Sequence, residues 1–370
     1  MKKLLLAATV ATLAMNAAQA APTLYGKLNV TLDQIDKNGF KDESVTKVNS
    51  NASRIGVKGE EKLTDSLSAV YLAEWGVSTD GAGSDADWGM RNRFVGIKSD
   101  GIATLKIGQF DSYLKTAAGN NQDIFNDHTE LDMTKVLAGE DRLSNVIGFE
   151  TDKKLLGGLA FNIMFQQGEQ NENATTKDPV TGKDVTIPLT NAAVGQKGSR
   201  NGFGDGISTS ITYENKDFGL AAAVAGNFAV ASKYNAYSLS GVYTDAVRVT
   251  GSLDLKPAGL DGLVLGGLWQ TAQPTDDTVT GFKGLKENAF GVTGAYAIPS
   301  TPIKLKAEYI SAKTEVDGKE DRKNDLYGVG ADYQINKQAR FYGVVGQQKI
   351  DWQKDNDKKT TIGLGMEYNF

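Results

Sequence analysis

From Thr361 to Phe370 every even position is apolar (Ile362, Leu364, Met366, Tyr368, Phe370) and every odd one is small or polar. A period of two marks a strand with one face in an apolar medium and the other in a polar one. The same rhythm runs through Leu24, Gly26, Leu28, Val30 and Leu32 against Tyr25, Lys27, Asn29, Thr31 and Asp33. It returns in Ile303, Leu305, Ala307 and Tyr309 against Lys304, Lys306 and Glu308, and in Tyr327, Val329, Ala331 and Tyr333. Segments of about ten residues suit tilted strands that cross a bilayer. Short polar turns (61–66, 99–101, 215–218, 298–302, 334–338) alternate with long connections near 36–50, 110–141, 169–205, 272–286, 314–321 and 351–357. Short turns on one side and long loops on the other predict an all-β fold, a transmembrane antiparallel β-barrel.

The strand count turns on residues 235–255, where Tyr237, Leu239, Tyr243, Val247, Val249 and Leu253 keep one parity. One long strand there makes sixteen in all. Two strands joined near Thr244–Ala246 make seventeen, and termini on one side of the membrane require an even number, so a further strand from 169–205 would bring the total to eighteen. Sixteen is the expectation and eighteen the fallback. The seven prolines, Pro22 to Pro302, all fall at strand ends or between strands, where no ladder donor is lost. Glycines (Gly56, Gly328, Gly330, Gly363, Gly365) gather on the face opposite the apolar one, where a curved sheet needs room. A soluble β-sandwich would also alternate. Against it, Tyr25, Tyr213, Tyr333, Tyr368 and Phe370 lie near strand ends on the short-turn side, as an interfacial girdle would.

Lys2 and Lys3 precede an apolar run from Leu4 to Met15, and Ala18-Gln19-Ala20 supplies the small residues of a signal-peptidase site. Residues 1–20 are therefore expected to be a signal peptide, with the barrel spanning 21–370. The apolar run is too short for a membrane-spanning helix, and no Cys follows it to carry a lipid. With one His and no Cys among 370 residues, thiol chemistry and soft-ligand metal centres lack material. No metal and no cofactor is expected. A formal charge of -5 without a long basic run argues against a nucleic-acid partner.

Five stretches, in order and spacing, resemble the general porins of Gram-negative bacteria, including the neisserial and comamonad trimeric porins. They are Thr23-Leu24-Tyr25-Gly26-Lys27-Leu28, then Ser53-Arg54-Ile55-Gly56-Val57-Lys58-Gly59-Glu60-Glu61-Lys62-Leu63, then Arg91-Asn92-Arg93-Phe94-Val95-Gly96-Ile97. Gly101-Ile102-Ala103-Thr104-Leu105-Lys106-Ile107-Gly108-Gln109 and Arg142-Leu143-Ser144-Asn145-Val146-Ile147 complete the set. The resemblance spans nearly the whole chain. It implies a homotrimer, an assembly signal at the terminal Phe370, a long third loop folded into the lumen, and an outer-membrane location among lipid and lipopolysaccharide. Two departures stand out: the family usually has Arg where Gln109 stands, and residues 235–255 do not follow its spacing.

A porin's chemistry is permeation, with selectivity set by charged groups at a constriction. The segment Phe110–Asp141, in the place of the third loop, carries Asp111, Asp123, Asp127, Glu130, Asp132, Glu140 and Asp141 against Lys115 and Lys135. Opposite it, alternation turns Arg54 and Lys58 inward beside the outward Ile55 and Val57. By the same reasoning Lys106 and Arg142 face the lumen. Arg91 matches the family's wall arginine. Arg91 and Arg93 share the parity of Val95 and Ile97, however, and an Arg facing lipid at mid-depth costs about 2–4 kcal/mol, so a bulge or a place at the rim is expected for both and both are assigned to the wall. A basic wall argues for anions and an acidic loop for cations, so the expected function is a general, mildly selective channel for ions and small hydrophilic solutes.

An adhesion or binding barrel acting through the loop Glu169–Asp205 is the alternative. An outer-membrane enzyme has little support: His128 is the single His, and no Gly-x-Ser-x-Gly elbow occurs. Asp85 with Asp87 and Glu60 with Glu61 read as solvated charge in loops and turns. Gly202-Phe203-Gly204-Asp205-Gly206 is read as a loop entering a strand, since no helical pattern follows it.

Overall fold

Along Thr23–Asn38, strand β1, the alternation becomes two surfaces: Leu24, Leu28 and Leu32 are exposed on one side, and Lys27, Asn29, Thr31 and Asp33 are buried on the other. The computed structural model describes residues 21–38, 43–81, 88–168, 173–177, 184–188, 200–277, 279–351 and 358–370. After β1 come β2 (Glu43–Ser50), β3 (Arg54–Lys62), β4 (Leu67–Gly76), β5 (Gly89–Ser99) and β6 (Ala103–Asp111). A helical run, α1 (Tyr113–Gln122), then precedes β7 (Arg142–Thr151), β8 (Leu159–Gln166), β9 (Asn173–Lys177), β10 (Asp184–Pro188), β11 (Gly206–Asn215) and β12 (Leu220–Tyr234). The chain ends with β13 (Leu239–Asp254), β14 (Leu263–Pro274), β15 (Lys286–Ala297), β16 (Ile303–Glu315), β17 (Arg322–Gln334), β18 (Ala339–Ile350) and β19 (Lys358–Asn369).

All of these strands pair antiparallel with their neighbours, and two non-local pairings close the sheet. β8 pairs with β11, and β19 returns to β1 with Leu28 opposite Tyr368 and Leu32 opposite Leu364. β9 and β10 form a separate ribbon. The main sheet holds 17 strand segments, but β2 and β3 both pair with β1 as one interrupted stave, so the barrel has sixteen staves, as expected. Closure removes every edge, which a spanning sheet in lipid requires. Residues 239–254 are the single long strand of the two options.

The interruption between β2 and β3 has a local cause. Ala52 takes a positive φ of 49°, and Ser53 Oγ replaces the ladder by accepting from the Asn29 amide at 2.9 Å and donating to its carbonyl at 3.1 Å. That kink turns the Asn51 side chain toward the third loop, whose Thr129 amide and hydroxyl donate to Asn51 Oδ1 at 2.9 and 2.8 Å.

Four expectations change in detail. The span 36–50 is not a loop: β1 runs to Asn38 and β2 starts at Glu43. The 169–205 connection contains the β9–β10 ribbon. Tyr25 is not a girdle residue. It shares the inward parity of Lys27, packs over Gly56, and donates to Glu74 Oε2 at 2.9 Å. Phe370 does lie outside, its ring covering Gly26 and stacking on Tyr368 at 6.4 Å. Glu60 and Glu61 lie on β3 rather than in a turn; Glu60 pairs with Lys98 at 2.9 Å, and Glu61 accepts from the Tyr71 hydroxyl. Asp85 and Asp87 lie outside the described residues, as do residues 1–20.

Candidate functional site

The segment between β6 and β7 leaves the wall at Ser112, which caps α1 by accepting from the Lys115 amide at 3.1 Å. From there it packs against the barrel face opposite the apolar band. Ala118, Phe125, Leu131, Met133, Val136 and Leu137 share one cluster with Leu268, Ala289, Ile310, Leu326 and Val344 of β14–β18. Glycines make the seat: a Cβ on Gly328 or Gly330 would lie 2.9 or 2.8 Å from the Phe125 ring, and one on Gly346 would strike Leu131.

Polar ties finish the attachment. The Gly139 amide donates to Ser232 Oγ at 2.7 Å, the Ala138 amide to Glu287 Oε1 at 2.8 Å, and Gln270 Nε2 to the Ala138 carbonyl at 2.8 Å. Arg248, wholly buried, is ion-paired with Glu140 and donates to Gln270 Oε1. Buried charge is tolerable only when paired and hydrogen-bonded in this way.

The other side of the segment faces a polar cavity of about 550 Å³. Arg54, Arg91 and Arg142 of the wall line it, together with Asp123, Asp127 and Asp132 of the loop. Arg54 Nη1 donates to Asp127 Oδ2 at 2.9 Å, and Lys27 is ion-paired with the same carboxylate. Arg91 Nε donates to Glu74 Oε1 at 2.5 Å, while Arg54 Nε stands 3.6 Å from Glu74 Oε2. Arg142 Nη2 lies 3.1 Å from Asp111 Oδ1, and its Nε donates to Asn92 Oδ1 at 2.6 Å.

A bulge decides between the two β5 arginines. Arg93 pairs with Ala73 and Met90 with Trp75, so Arg91 and Asn92 together oppose the single Glu74. The extra residue flips the phase. Arg91 therefore points into the cavity, whereas Arg93 keeps the outward phase of Val95 and Ile97. Its guanidinium sits 5.4 Å from the Trp75 ring centre, in a groove shared with Ile107, Gln109 and Ile147. Arg93 is thus not a pore-wall residue, because the flip occurs above it. A second bulge, between β6 and β7 around Asn145 (φ 58°), sets the height at which Arg142 meets Asp111.

The remaining expected residues are dispersed. Lys58 is at the short-turn end, over the Tyr25 ring at 4.8 Å. Lys106 is inward but lies outside the cavity, ion-paired with Glu150 between Phe94 and Phe110. Asp111 ends β6 and belongs to the wall side. Glu130 turns away from the cavity to Lys359, 2.6 Å off. Sequence reasoning passed over Lys27, Glu74 and Arg248. Lys27 was already in the inward phase of β1, and Arg248 in the inward phase of β13.

Burial separates the loop carboxyls. It pushes Asp123 well above the usual carboxylate range, with Asp132 and Glu140 adding repulsion, and pushes Asp141 up to about 6. Burial also acts on Asp127, but Lys27 and Arg54 outweigh it and hold that carboxyl below its ordinary value. His128 is buried 3.8 Å from Asp33, and desolvation lowers its pKa.

A family model described as Gram-negative porin matches residues 6–353. The chain belongs to the Gram-negative porin family. It is 26% identical to the major outer membrane protein P.IB of Neisseria sicca over the full length of both chains. Two solved structures share the fold: an anion-selective porin from Comamonas acidovorans (TM-score 0.67, 15% identity, 95% of this chain and 100% of that one) and the trimer form of OmpT of Vibrio cholerae (TM-score 0.59, 16% identity, 95% and 99%). As a porin it is a channel of the Gram-negative outer membrane and not an enzyme. His128, within the third loop, accepts from the Glu130 amide at 3.2 Å, a structural contact.

Proposed function

We propose that the cavity between the third loop and the β1–β7 wall is the constriction of a general diffusion channel for ions and small hydrophilic solutes. The observation that carries this is the meeting of wall cations and loop carboxylates around one polar cavity of about 550 Å³. Opposed rows of charge in low-dielectric walls set up a transverse field that sorts solutes by charge and dipole. Among the groups lining the passage, Arg54, Arg91, Lys115, Lys135 and Arg142 face Glu74, Asp111, Asp123, Asp127 and Asp132, with burial raising the Asp123 carboxyl above its ordinary range. That near balance of charge makes the channel only mildly selective.

The mature protein is residues 21–370, residues 1–20 being the exported leader. It works as a homotrimer, a state supported by the trimer form of the Vibrio neighbour. Phe370, exposed at the short-turn rim beside Tyr368, is the assembly signal. Lipid and lipopolysaccharide surround the apolar band.

Planar-bilayer recording of the refolded protein under a salt gradient tests this reading. Conductance steps in groups of three are expected, with a reversal potential that moves toward cations in Arg54→Glu and toward anions in Asp123→Lys. A bilayer left silent by a heat-modifiable, folded barrel would sink it.

A further inference from the structure

We propose that Lys47, Lys135 and Lys359 form a binding site for a small doubly charged anion in the long-loop vestibule, at the lip of the constriction. The proposal rests on the channel reading and adds to it a site outside the eyelet. Strand parity turns two of the lysines inward. On β2 Lys47 stands opposite the inward Asp33 of β1, and on β19 Lys359 shares the phase of Thr361 and Glu367. The third loop supplies the remaining one. Lys135 closes the short helical turn Met133–Lys135, and its carbonyl accepts from Asn324 Nδ2 at 3.0 Å and from Gln348 Nε2 at 3.4 Å. Gln348 is the direct cross-strand partner of Lys359, so this tie sets Lys135 beside it. Lys135 also lines the constriction cavity, and Lys47 is exposed. The cluster therefore stands at the edge of that cavity on the long-loop side.

The three ammonium groups share one carboxylate. Lys359 Nζ lies 2.6 Å from Glu130 Oε2. Burial raises the Glu130 carboxyl, but Lys359, Lys135 and Lys47 outweigh it and hold that group below its ordinary value. Burial lowers the Lys135 ammonium, Glu130 opposes the shift, and Lys359 and Lys47 add to it by repulsion. The other acids nearby are engaged elsewhere. Asp33, wholly buried, accepts from the Thr31 hydroxyl and from Asn49 Nδ2, while the two Asp132 oxygens accept from the Thr134 and Asp127 amides. Lys37 of the same rim is neutralised by Glu43 at 3.0 Å. Among the described residues no carboxylate forms an ion pair with Lys47 or Lys135. Within the cluster, three lysines against Glu130 leave two positive charges without a carboxylate of their own. Converging like charges repel, and an anion carrying two charges compensates both where a monoanion compensates one.

Chloride current through single channels in a planar bilayer, with sulfate added to one side at a time, tests the site. Sulfate from the long-loop side should block wild-type channels at a concentration about tenfold below that needed from the other side, as two exposed ion pairs of ordinary strength allow. Methyl sulfate, with a single charge, should show no such sidedness. Lys47→Gln/Lys135→Gln should raise the half-blocking concentration about tenfold. Lys349→Gln/Lys358→Gln, which removes the same charge from the outward phase of the same rim, should leave it unchanged. Equal block from both sides in the wild type would overturn the proposal, and that arm needs no variant to fold. Equal sidedness for methyl sulfate would overturn the assignment to dianions. Equal weakening in the two double variants would overturn the site itself, since surface charge at large would then be responsible. Chloride steps without sulfate block strike this site alone, whereas absent chloride steps strike the porin reading and this site with it.

Discussion

At the height of the third loop the two halves of the inner wall differ. From β14 to β18 the inward residues include the apolar Leu268, Ala289, Ile310, Leu326 and Val344, with glycines that admit Phe125 and Leu131. From β1 to β5 they are Lys27, Arg54, Glu74 and Arg91, joined in ion pairs. The apolar half holds the loop, and the charged half is left to the water. A barrel interior is therefore two environments, one acting as a protein core and the other as a channel lining. Alternation along a strand separates inside from outside, but it does not separate these two.

The contrast breaks most severely where the seat depends on one buried pair. Glu140→Ala should strand the fully buried Arg248 charge and cost about 3–5 kcal/mol of loop attachment. Noisy, enlarged single-channel conductance in an otherwise heat-resistant barrel is the expected record; quiet channels of native size would show that the pair does not hold the loop. Phe125→Ala empties the glycine-lined seat, at a cost of about 3 kcal/mol. Liposome-swelling assays should then admit larger sugars, and an unchanged size limit would place the restriction elsewhere.

A pH titration sharpens the picture at the loop's exit from the seat. Burial in the docked loop raises Asp141 to about 6 from an ordinary carboxylate value of about 4, so the docked state binds more protons between those values. Docking is favoured on the acid side and loses this contribution as pH rises through about 6. Asp127 runs oppositely: its ion pairs hold it below the ordinary value, so it stays charged across this window and loses its contribution only in stronger acid. Gating noise should accordingly increase between about pH 4 and 6 and flatten in Asp141→Asn. If the slope persists in that variant, another buried acid is responsible.

The smallest effects distinguish the two β5 arginines. Arg91→Gln should move the reversal potential toward cations without loss of folding, since it removes a cavity charge. Arg93→Gln should leave the reversal potential where it was, because that side chain lies outside against Trp75. Equal shifts in both would contradict the bulge.

Much of this was legible in the chain. The period of two in 24–32 and 361–370 fixed which residues face lipid, because a one-residue slip would put leucines in water and lysines in hydrocarbon. The same parity placed Arg54 and Lys106 inward and led to sixteen staves once 239–254 was taken as one strand. Parity alone put Arg93 outward with Val95 and Ile97, and the bulge invoked to bring both arginines inward lies beyond it and turns only Arg91; parity could not give its place, because a bulge adds a residue without any change in composition. Nor did the acidic loop reveal that Asp127 would be paired, Asp123 buried and Glu130 turned to Lys359. Those outcomes depend on contacts between residues 70 to 230 positions apart, such as Arg54 with Asp127 and Glu130 with Lys359. Local pattern determined which face each strand shows to lipid, since the membrane acts on each residue separately. Only the closed barrel decided which inward residues meet the loop and which meet water, since that depends on what stands across the lumen.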